Sequence, residues 1–292
     1  MKAAPFDHHA PTSLAEVHDL LARHGPDATL IAGGQSLVPL MALRLARPRV
    51  LVDLNEVAGL AGIRDEPDAV TAGALTRQRA VERSPVVAAR LPLLAAAVGR
   101  IGHPQVRNRG TVGGSLALGH PAAELPAVAL ALDATLVLAG IGGAEREIAA
   151  GDFYPATGGT GLRPGEVLTR VRFPVPPAGA GYGFHELGRR SRDFALAGAA
   201  VVLGRGVDGE CAYARVAVLG GGPVPRRVPG VERALRGGPL DADAIAEAAD
   251  GVAGEVEPVG DVQADAGYRR EVLVTLVRRA LSDAARRADP TH

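Results

Sequence analysis

Two glycine-rich segments carry the residue types best suited to chemistry. The first reads Ile-Ala-Gly-Gly-Gln-Ser-Leu at residues 31–37 and lies between a predicted strand and a predicted helix. Paired glycines permit positive φ and let a ligand approach the main chain. Free backbone N–H groups and a nearby hydroxyl then suit phosphate oxygens. We therefore predict contacts to an anionic ligand from Ile31, Ala32, Gly33, Gly34, Gln35, Ser36 and Leu37.

The second segment, residues 108–115, reads Asn-Arg-Gly-Thr-Val-Gly-Gly-Ser and again places a glycine pair between two hydroxyl residues. Two such loops are suited to grip one pyrophosphate from two sides. Either loop alone is equally compatible with a tight turn, but their shared composition favours a common anion. The candidate ligand-binding residues here are Asn108, Gly110, Thr111, Gly113, Gly114 and Ser115.

Several other kinds of site are disfavoured. Neither loop matches the Gly-x-Gly-x-x-Gly dinucleotide pattern or the P-loop pattern. The single cysteine, Cys211, excludes a disulfide framework and any iron–sulfur cluster held by four thiolates of this chain. The histidines show no metal-ligand spacing. We predict no metal ligands and no catalytic side chain.

Glu124 follows Pro-Ala-Ala and begins a predicted helix. Its carboxylate is suited to accept hydrogen bonds from ribityl or ribose hydroxyls. Taken alone, the residue is better explained as an acidic residue stabilised by the amino end of the helix.

Composition limits the class of protein. The 292 residues suffice for two or three modules, and the 32 basic residues balance the 32 acidic ones. A neutral chain gives no electrostatic reason to expect nucleic acid or an anionic membrane as partner. No apolar run has the length of a membrane span and no signal-peptide pattern follows Met1, so we expect a cytoplasmic protein.

The segments around the glycine loops alternate between strand and helix. A helix from Ser13, strands at 28–32 and 50–54 and a helix at 37–45 form a β-α-β unit with parallel strands. Further on we predict hairpin strands at 63–64 and 69–74, helices at 76–82, 86–100 and 124–132, and strands at 134–138 and 167–173.

A Pro-Val-Pro-Pro run at residues 174–177 predicts a domain boundary. After it, strands at 181–187, 197–203 and 212–219 are spaced as an antiparallel meander. Three helices follow at 225–235, 241–251 and 265–287. The order predicts an α+β domain in which helices cover a sheet.

These motifs together identify a family resemblance over the whole length. The chain resembles the FAD-binding medium subunit of the xanthine dehydrogenase and carbon monoxide dehydrogenase family of molybdenum hydroxylases. The resemblance is strongest in the run from Gly102 to Ala117, and it includes motifs at residues 32–37, 47–54, 71–76, 121–126, 164–168 and 189–195.

The resemblance implies an α+β fold with a PCMH-type FAD-binding domain at residues 1–175, made of two α/β subdomains at about 1–57 and 58–175. It implies a C-terminal domain at 176–292, with a three-stranded antiparallel sheet and a helical bundle. The FAD pyrophosphate is expected between residues 32–37 and 111–115. Glu124 matches an acidic residue that holds a flavin sugar-chain hydroxyl, Leu168 packs near the adenine, and Arg192, Asp193 and Phe194 approach the isoalloxazine.

The implied function is electron transfer. A partner molybdenum-cofactor large subunit oxidises the substrate, a [2Fe-2S] small subunit relays electrons, and FAD on this chain passes them to NAD⁺, oxygen or a quinone. The resemblance implies a heterotrimer or a dimer of heterotrimers. The rival hypotheses are a stand-alone flavin-dependent oxidase or dehydrogenase with its own small substrate, and a scaffold that has lost the flavin. Retention of both glycine loops argues against the scaffold.

One segment departs from the family pattern. Relatives commonly read His-Ala-Asp before Pro-Ala-Ala-Glu, whereas this chain has Leu118, Gly119 and His120. The change is explained either by ordinary drift beside a retained Glu124 or by an altered redox environment of the flavin.

Overall fold

The N-terminal unit is a small parallel sheet with helices. A computed structural model describes residues 2–288. Strand β3 lies between β1 and β2, and both pairings are parallel, which confirms the predicted β-α-β arrangement. Helix α1 starts where Ser13 accepts a hydrogen bond from the Glu16 N–H. The elements are β1 (Asp7–His9), α1 (Leu14–His24), β2 (Ala28–Ile31), α2 (Leu37–Ala42) and β3 (Val50–Asp53).

The middle unit joins a five-stranded sheet, in the order β4-β5-β8-β6-β7, to seven helices. All four pairings in this sheet are antiparallel. Its elements are β4 (Ile63–Asp65), β5 (Ala69–Gly73), α3 (Gln78–Glu82), α4 (Pro85–Arg90), α5 (Pro92–Val98), α6 (Pro104–Arg109), α7 (Val112–Leu118), α8 (Glu124–Ala131), β6 (Thr135–Ala139), β7 (Glu145–Ala149), the single turn α9 (Ala150–Phe153) and β8 (Val167–Pro174).

The C-terminal unit is an antiparallel sheet covered by helices. The predicted three-stranded meander is present, and a two-residue strand extends it at the edge beside β11. One face of the sheet packs on the long helix α12, and the other packs on the middle unit. The elements are β9 (Gly181–Gly188), β10 (Ala195–Arg205), β11 (Cys211–Leu219), β12 (Arg226–Arg227), α10 (Pro229–Leu235), α11 (Ala242–Asp250) and α12 (Ala266–Arg287).

Four sequence predictions need correction. The helix expected at 86–100 is two helices, because Leu91 leaves helical geometry immediately before Pro92. Strand β1 was missed, as was β7. The helix expected from residue 225 begins at Pro229, since Arg226 and Arg227 pair with β11. The glycine-rich stretch 108–115, expected as a loop, lies mostly within α6 and α7.

Within residues 2–288, no helix combines the length and the apolar character needed to cross a membrane.

Candidate functional site

A large cavity brings the two glycine-rich segments together. Its empty volume is about 1500 Å³, which includes space open to solvent at its mouth. It lies between the N-terminal parallel sheet and helices α7 and α8 of the middle unit. Fifteen of the predicted site residues line it, namely Ile31, Ala32, Gly33, Gly34, Gln35, Ser36, Leu37, Gly110, Thr111, Gly113, Gly114, Ser115, Glu124, Leu168 and Phe194.

The first loop offers backbone donors. Gly34 has a φ of +71°, and the Gln35 side-chain amide donates to the Gly33 carbonyl at 3.2 Å. Among the described residues, no protein acceptor is bonded to the N–H groups of residues 34–37. Several adjacent free N–H groups on a cavity wall form a cradle for an anion.

The second segment differs from the loop that the sequence predicted. Gly110 and Thr111 join α6 to α7, and the Thr111 hydroxyl accepts the Gly114 N–H at 3.0 Å as a helix cap. The Val112 and Gly113 N–H groups donate to carbonyl oxygens of residues 76 and 74. Because these N–H groups are already hydrogen-bonded within the protein, they are not available to a ligand. The segment offers the cavity the Ser115 hydroxyl and a backbone surface that carries no side chains at its glycines.

The two segments touch each other directly. A Cβ placed on Gly33 would lie 2.3 Å from the Arg109 carbonyl oxygen, and one on Gly113 would lie 2.5 Å from the Ala74 Cβ. Both distances are far below van der Waals contact. Only glycine at residue 33 therefore allows the first loop to approach the second.

The other end of the cavity holds a neutral carboxyl group. Burial raises the pKa of Glu124 to about 8, and the negative charge of Glu186 adds to the rise. Glu186 lies on β9. Burial raises the pKa of Glu186 to about 6, and the positive charge of Arg100 limits this rise. One Glu186 carboxyl oxygen is buried without a hydrogen-bond partner among the described residues. At neutral pH Glu124 is therefore protonated and can both donate to and accept from a ligand hydroxyl.

The segment that departs from the family pattern also lies on this wall. The His120 Nδ1 accepts the Ala122 N–H at 3.1 Å, so the neutral ring carries its proton on Nε2. Its ring centroid is 5.2 Å from that of Phe194. Burial lowers the pKa of His120. The neutral ring, Leu118 and Phe194 give this part of the cavity an apolar rim.

Three predicted site residues lie outside the cavity wall. Asn108 is exposed on α6, and Asp193 is exposed beside β10. Arg192 is also exposed, has a φ of +73°, and donates to the Gly102 carbonyl at 3.2 Å. Their expected contacts with a flavin stay predictions.

Some lining residues were missed because no local pattern marks them. Gln78 reaches the wall because its N–H donates to the Gly110 carbonyl, a contact between distant segments. Glu166 lines the cavity beside Leu168, and its hydrogen bonds with Arg146 hold its pKa below the usual range. Glu166 lies within the motif at residues 164–168 of the family resemblance, and this motif could have identified it as a lining residue.

The residues present fit FAD. A cradle of free N–H groups suits the diphosphate, and the protonated carboxyl of Glu124 suits a sugar-chain hydroxyl. The lining between them is mostly apolar and suits flat aromatic rings. Within the described part of the chain, no group of three His, Cys, Asp or Glu residues is arranged to hold a metal ion.

Two family models together match most of the chain. Residues 4–176 match the family model "FAD binding domain in molybdopterin dehydrogenase". Residues 182–284 match "CO dehydrogenase flavoprotein C-terminal domain".

Curated relatives match over nearly their whole length. The chain is 42% identical to the 6-hydroxypseudooxynicotine dehydrogenase complex subunit alpha of Paenarthrobacter nicotinovorans, covering 100% of this chain and 98% of the relative. It is 40% identical to the carbon monoxide dehydrogenase medium chain of Hydrogenophaga pseudoflava, covering 96% of each.

A solved structure shares the fold. It is a carbon monoxide dehydrogenase from Hydrogenophaga pseudoflava that lacks the Mo-pyranopterin moiety of its molybdenum cofactor. The match has a TM-score of 0.94 at 40% identity and covers 98% of this chain and 99% of that one. This chain therefore belongs to the FAD-binding medium subunits of the carbon monoxide dehydrogenase and xanthine dehydrogenase family, as an oxidoreductase flavoprotein subunit whose cofactor is FAD.

Proposed function

We propose that this chain is the electron-transfer subunit of a molybdenum hydroxylase complex. It takes electrons from the [2Fe-2S] clusters of a small subunit and passes them to NAD⁺, oxygen or a quinone. A molybdenum-cofactor large subunit of the same complex oxidises the organic substrate.

The end-to-end match to medium chains of such enzymes carries this proposal. Relatives that match over 96% and 98% of their own lengths are named as one subunit of a complex or as a medium chain. The lone cysteine, Cys211, is buried, so this chain supplies no thiolate set for a cluster. In this proposal the iron–sulfur clusters that deliver electrons therefore belong to a partner.

Within this proposal the first loop binds the diphosphate through the N–H groups of residues 34–37, and Ser115 adds a hydroxyl from the other side. Glu124 holds a sugar-chain hydroxyl, and Leu168 packs near the adenine. Residues 192–194 lie toward the isoalloxazine. The bound flavin supplies the reversible redox chemistry, and the chain supplies binding, orientation and electrostatics.

A stand-alone flavin oxidase is the second candidate, because His120 lines the cavity as a neutral imidazole. The hydrogen bond from the Ala122 N–H selects the tautomer of His120 that carries its proton on Nε2. That nitrogen is therefore a hydrogen-bond donor and not a base that could take a proton from a substrate. That arrangement favours the electron-transfer role.

Reconstitution with partners separates the two candidates. The purified chain is mixed anaerobically with a chemically reduced [2Fe-2S] subunit co-expressed from the same source, and the flavin absorbance is followed. We expect rapid bleaching with the reduced partner. Carbon monoxide and 6-hydroxypseudooxynicotine, the compounds that name its relatives, should cause no bleaching of the isolated chain. Bleaching by such a compound without any partner would support the oxidase instead.

The proposed domain division is residues 1–175 for FAD binding, with subdomains at about 1–57 and 58–175, and 176–292 for the C-terminal domain. The two family models, matched at 4–176 and 182–284, support a boundary in the proline-rich connection.

A further inference from the structure

A pair of side chains behind the first glycine loop connects it to the second. Asn55 follows strand β3, and its Nδ2 donates to the Ala32 carbonyl at 2.9 Å. The Arg77 guanidinium donates to Asn55 Oδ1 at 2.7 Å and to the Arg109 carbonyl at 2.6 Å. Ala32 belongs to the first loop, and Arg109 immediately precedes Gly110 of the second. Hydrogen bonds therefore link the two walls of the cavity.

The position of the pair is fixed from both sides. Asp53 accepts hydrogen bonds from the Asn55 backbone N–H, at 3.0 Å, and from the Asn55 side-chain amide, and the second bond orients the Asn55 side chain. The backbone of Arg77 pairs with that of Thr111 in an antiparallel bridge. Neither Asn55 nor Arg77 lines the cavity. Their action on a ligand is therefore indirect.

These bonds, with one from Gln35, engage two carbonyl oxygens of the first loop. With the Ala32 carbonyl held by Asn55 and the Gly33 carbonyl held by Gln35, the N–H groups of residues 34–37 stay free. An exposed carbonyl oxygen on the same wall would repel an anion. The orientation of the loop thus decides whether it attracts or repels phosphate.

The charge of Arg77 adds to this effect. Both of its side-chain bonds go to neutral acceptors, and no carboxylate lies within ion-pair distance of it among the described residues. Burial lowers the pKa of Arg77, and the charge of Arg109 lowers it further, while the negative charge of Asp53 opposes the change. Arginine nevertheless stays protonated at neutral pH. A positive charge without a direct counter-ion therefore lies behind the anion cradle.

We propose that Asn55 and Arg77 are positioning residues for the diphosphate of FAD, setting the spacing of the two glycine segments and the direction of the free N–H groups of the first. The proposal rests on the proposed cofactor site. It assigns a role in cofactor affinity to two residues that do not touch the cofactor.

The test compares FAD with two ligands that each correspond to one part of it: ADP, which carries the diphosphate, and riboflavin, which lacks it. Full-length apo-protein carrying Arg77→Met or Asn55→Ala is titrated with FAD, ADP and riboflavin, the last two by competition with FAD. We expect FAD and ADP to bind roughly tenfold to a hundredfold more weakly, because a charge-assisted bond network is lost. Riboflavin binding should change less than twofold, and the Tm of the apo-protein should stay within a few degrees of wild type.

Two further variants sharpen the test. Arg90→Met, which removes an arginine paired with Asp65 on the surface, serves as the matched control and should leave all three affinities unchanged. The double variant Arg77→Met with Asn55→Ala should bind FAD little more weakly than Arg77→Met alone, because both residues act in one connected chain.

Equal weakening of FAD and riboflavin, or unchanged ADP affinity, would overturn the positioning role. Failure of the underlying cofactor site would look different. In that case wild type would bind neither FAD nor ADP, or Gly34→Asp would leave FAD affinity intact.

Discussion

At the scale of the residue, the two neighbouring glycines of the first loop meet different requirements. Gly33 is required because the Arg109 carbonyl lies where a Cβ would be. Gly34 is required by its φ of +71°, which side chains rarely adopt. The glycine pair was recognised from sequence as a ligand loop. The sequence could not show the reason for Gly33, because Arg109 is distant along the chain.

Gly34→Asp should abolish FAD binding. The new carboxylate would lie beside the proposed diphosphate, and like-charge juxtaposition costs several kcal/mol, so affinity should fall about a hundredfold or more. Gly59→Asp is the matched control, since Gly59 has a φ of +80° and open space around it. Flavin fluorescence titration measures both variants. Equal losses in both would attribute the effect to backbone strain instead of charge.

Glu124 predicts a pH dependence of stability. Its pKa is raised from 4.5 to about 8, so the folded state keeps a proton that the unfolded state releases. The free energy of unfolding should therefore fall as pH rises between 4.5 and about 8, by up to about 1.4 kcal/mol per pH unit. Glu124→Gln should remove the part of this slope that lies above about pH 6 and leave the smaller contribution of Glu186 below it, as measured by urea denaturation of the apo-protein across that range.

Glu186 provides the companion experiment. The negative charge of Glu186 contributes to the raised pKa of Glu124. In Glu186→Gln the pKa of Glu124 should therefore be lower, and the free energy of unfolding should stop falling at a lower pH than in wild type. Exposed Glu247→Gln is the control and should keep the wild-type profile. A wild-type slope retained in Glu124→Gln would contradict the assignment. The sequence pointed to Glu124, but its coupling to a residue 62 positions away required the fold.

At the scale of the element, helix α6 is fixed by a buried arginine. Arg107 is 2% exposed and makes two hydrogen bonds to Glu82, at 2.9 and 3.0 Å. It also donates to the carbonyls of Ile101 and Gly102 at 2.8 and 2.7 Å. These bonds, chiefly the one from Arg107, hold the pKa of Glu82 down to about 2. The segment that leads into the second glycine loop therefore depends on one side chain.

Arg107→Met should destabilise the protein by about 2–4 kcal/mol, because it leaves the carbonyls of Ile101 and Gly102 without a donor and leaves Glu82 with Arg79 as its remaining partner. Urea denaturation near neutral pH measures the loss. Arg90→Met, whose partner Asp65 is half exposed, should cost no more than about 1 kcal/mol. Similar costs for the two variants would show that Arg107 is not the anchor of α6.

Helix α7 was missed for a physical reason. Glycine in a helix costs about 1 kcal/mol relative to alanine, so a Val-Gly-Gly-Ser run was predicted as a loop. Capping by Thr111 and close packing of Gly113 on Ala74 favour α7 despite that cost. The long amphipathic helix α12, in contrast, was predicted within a residue of its ends.

At the scale of the whole molecule, the two proposed domains share one hydrophobic core. Helix α8 of the middle unit packs on β10 and β11, and Val128 and Leu219 belong to the same buried cluster. Asp133, just after α8, pairs with Arg215 and Arg227 across the same boundary. The sequence predicted the boundary from its prolines but not this contact, which joins residues about eighty to ninety positions apart.

The shared core predicts that the chain unfolds as one unit. Leu219→Ala should cost about 2–5 kcal/mol and lower the stability of both halves together. Hydrogen exchange followed by mass spectrometry over a urea series resolves the halves. Exchange of residues 176–288 at lower urea than residues 2–175 would contradict a common core.

The most direct test of the account is the visible absorption spectrum of the purified chain, with mass spectrometry of the ligand released by heat. We predict a yellow protein that releases FAD and loses its colour in Gly34→Asp while remaining folded. A colourless chain that also takes up no added FAD would contradict the central claim, and would leave a scaffold that kept the fold and lost the cofactor.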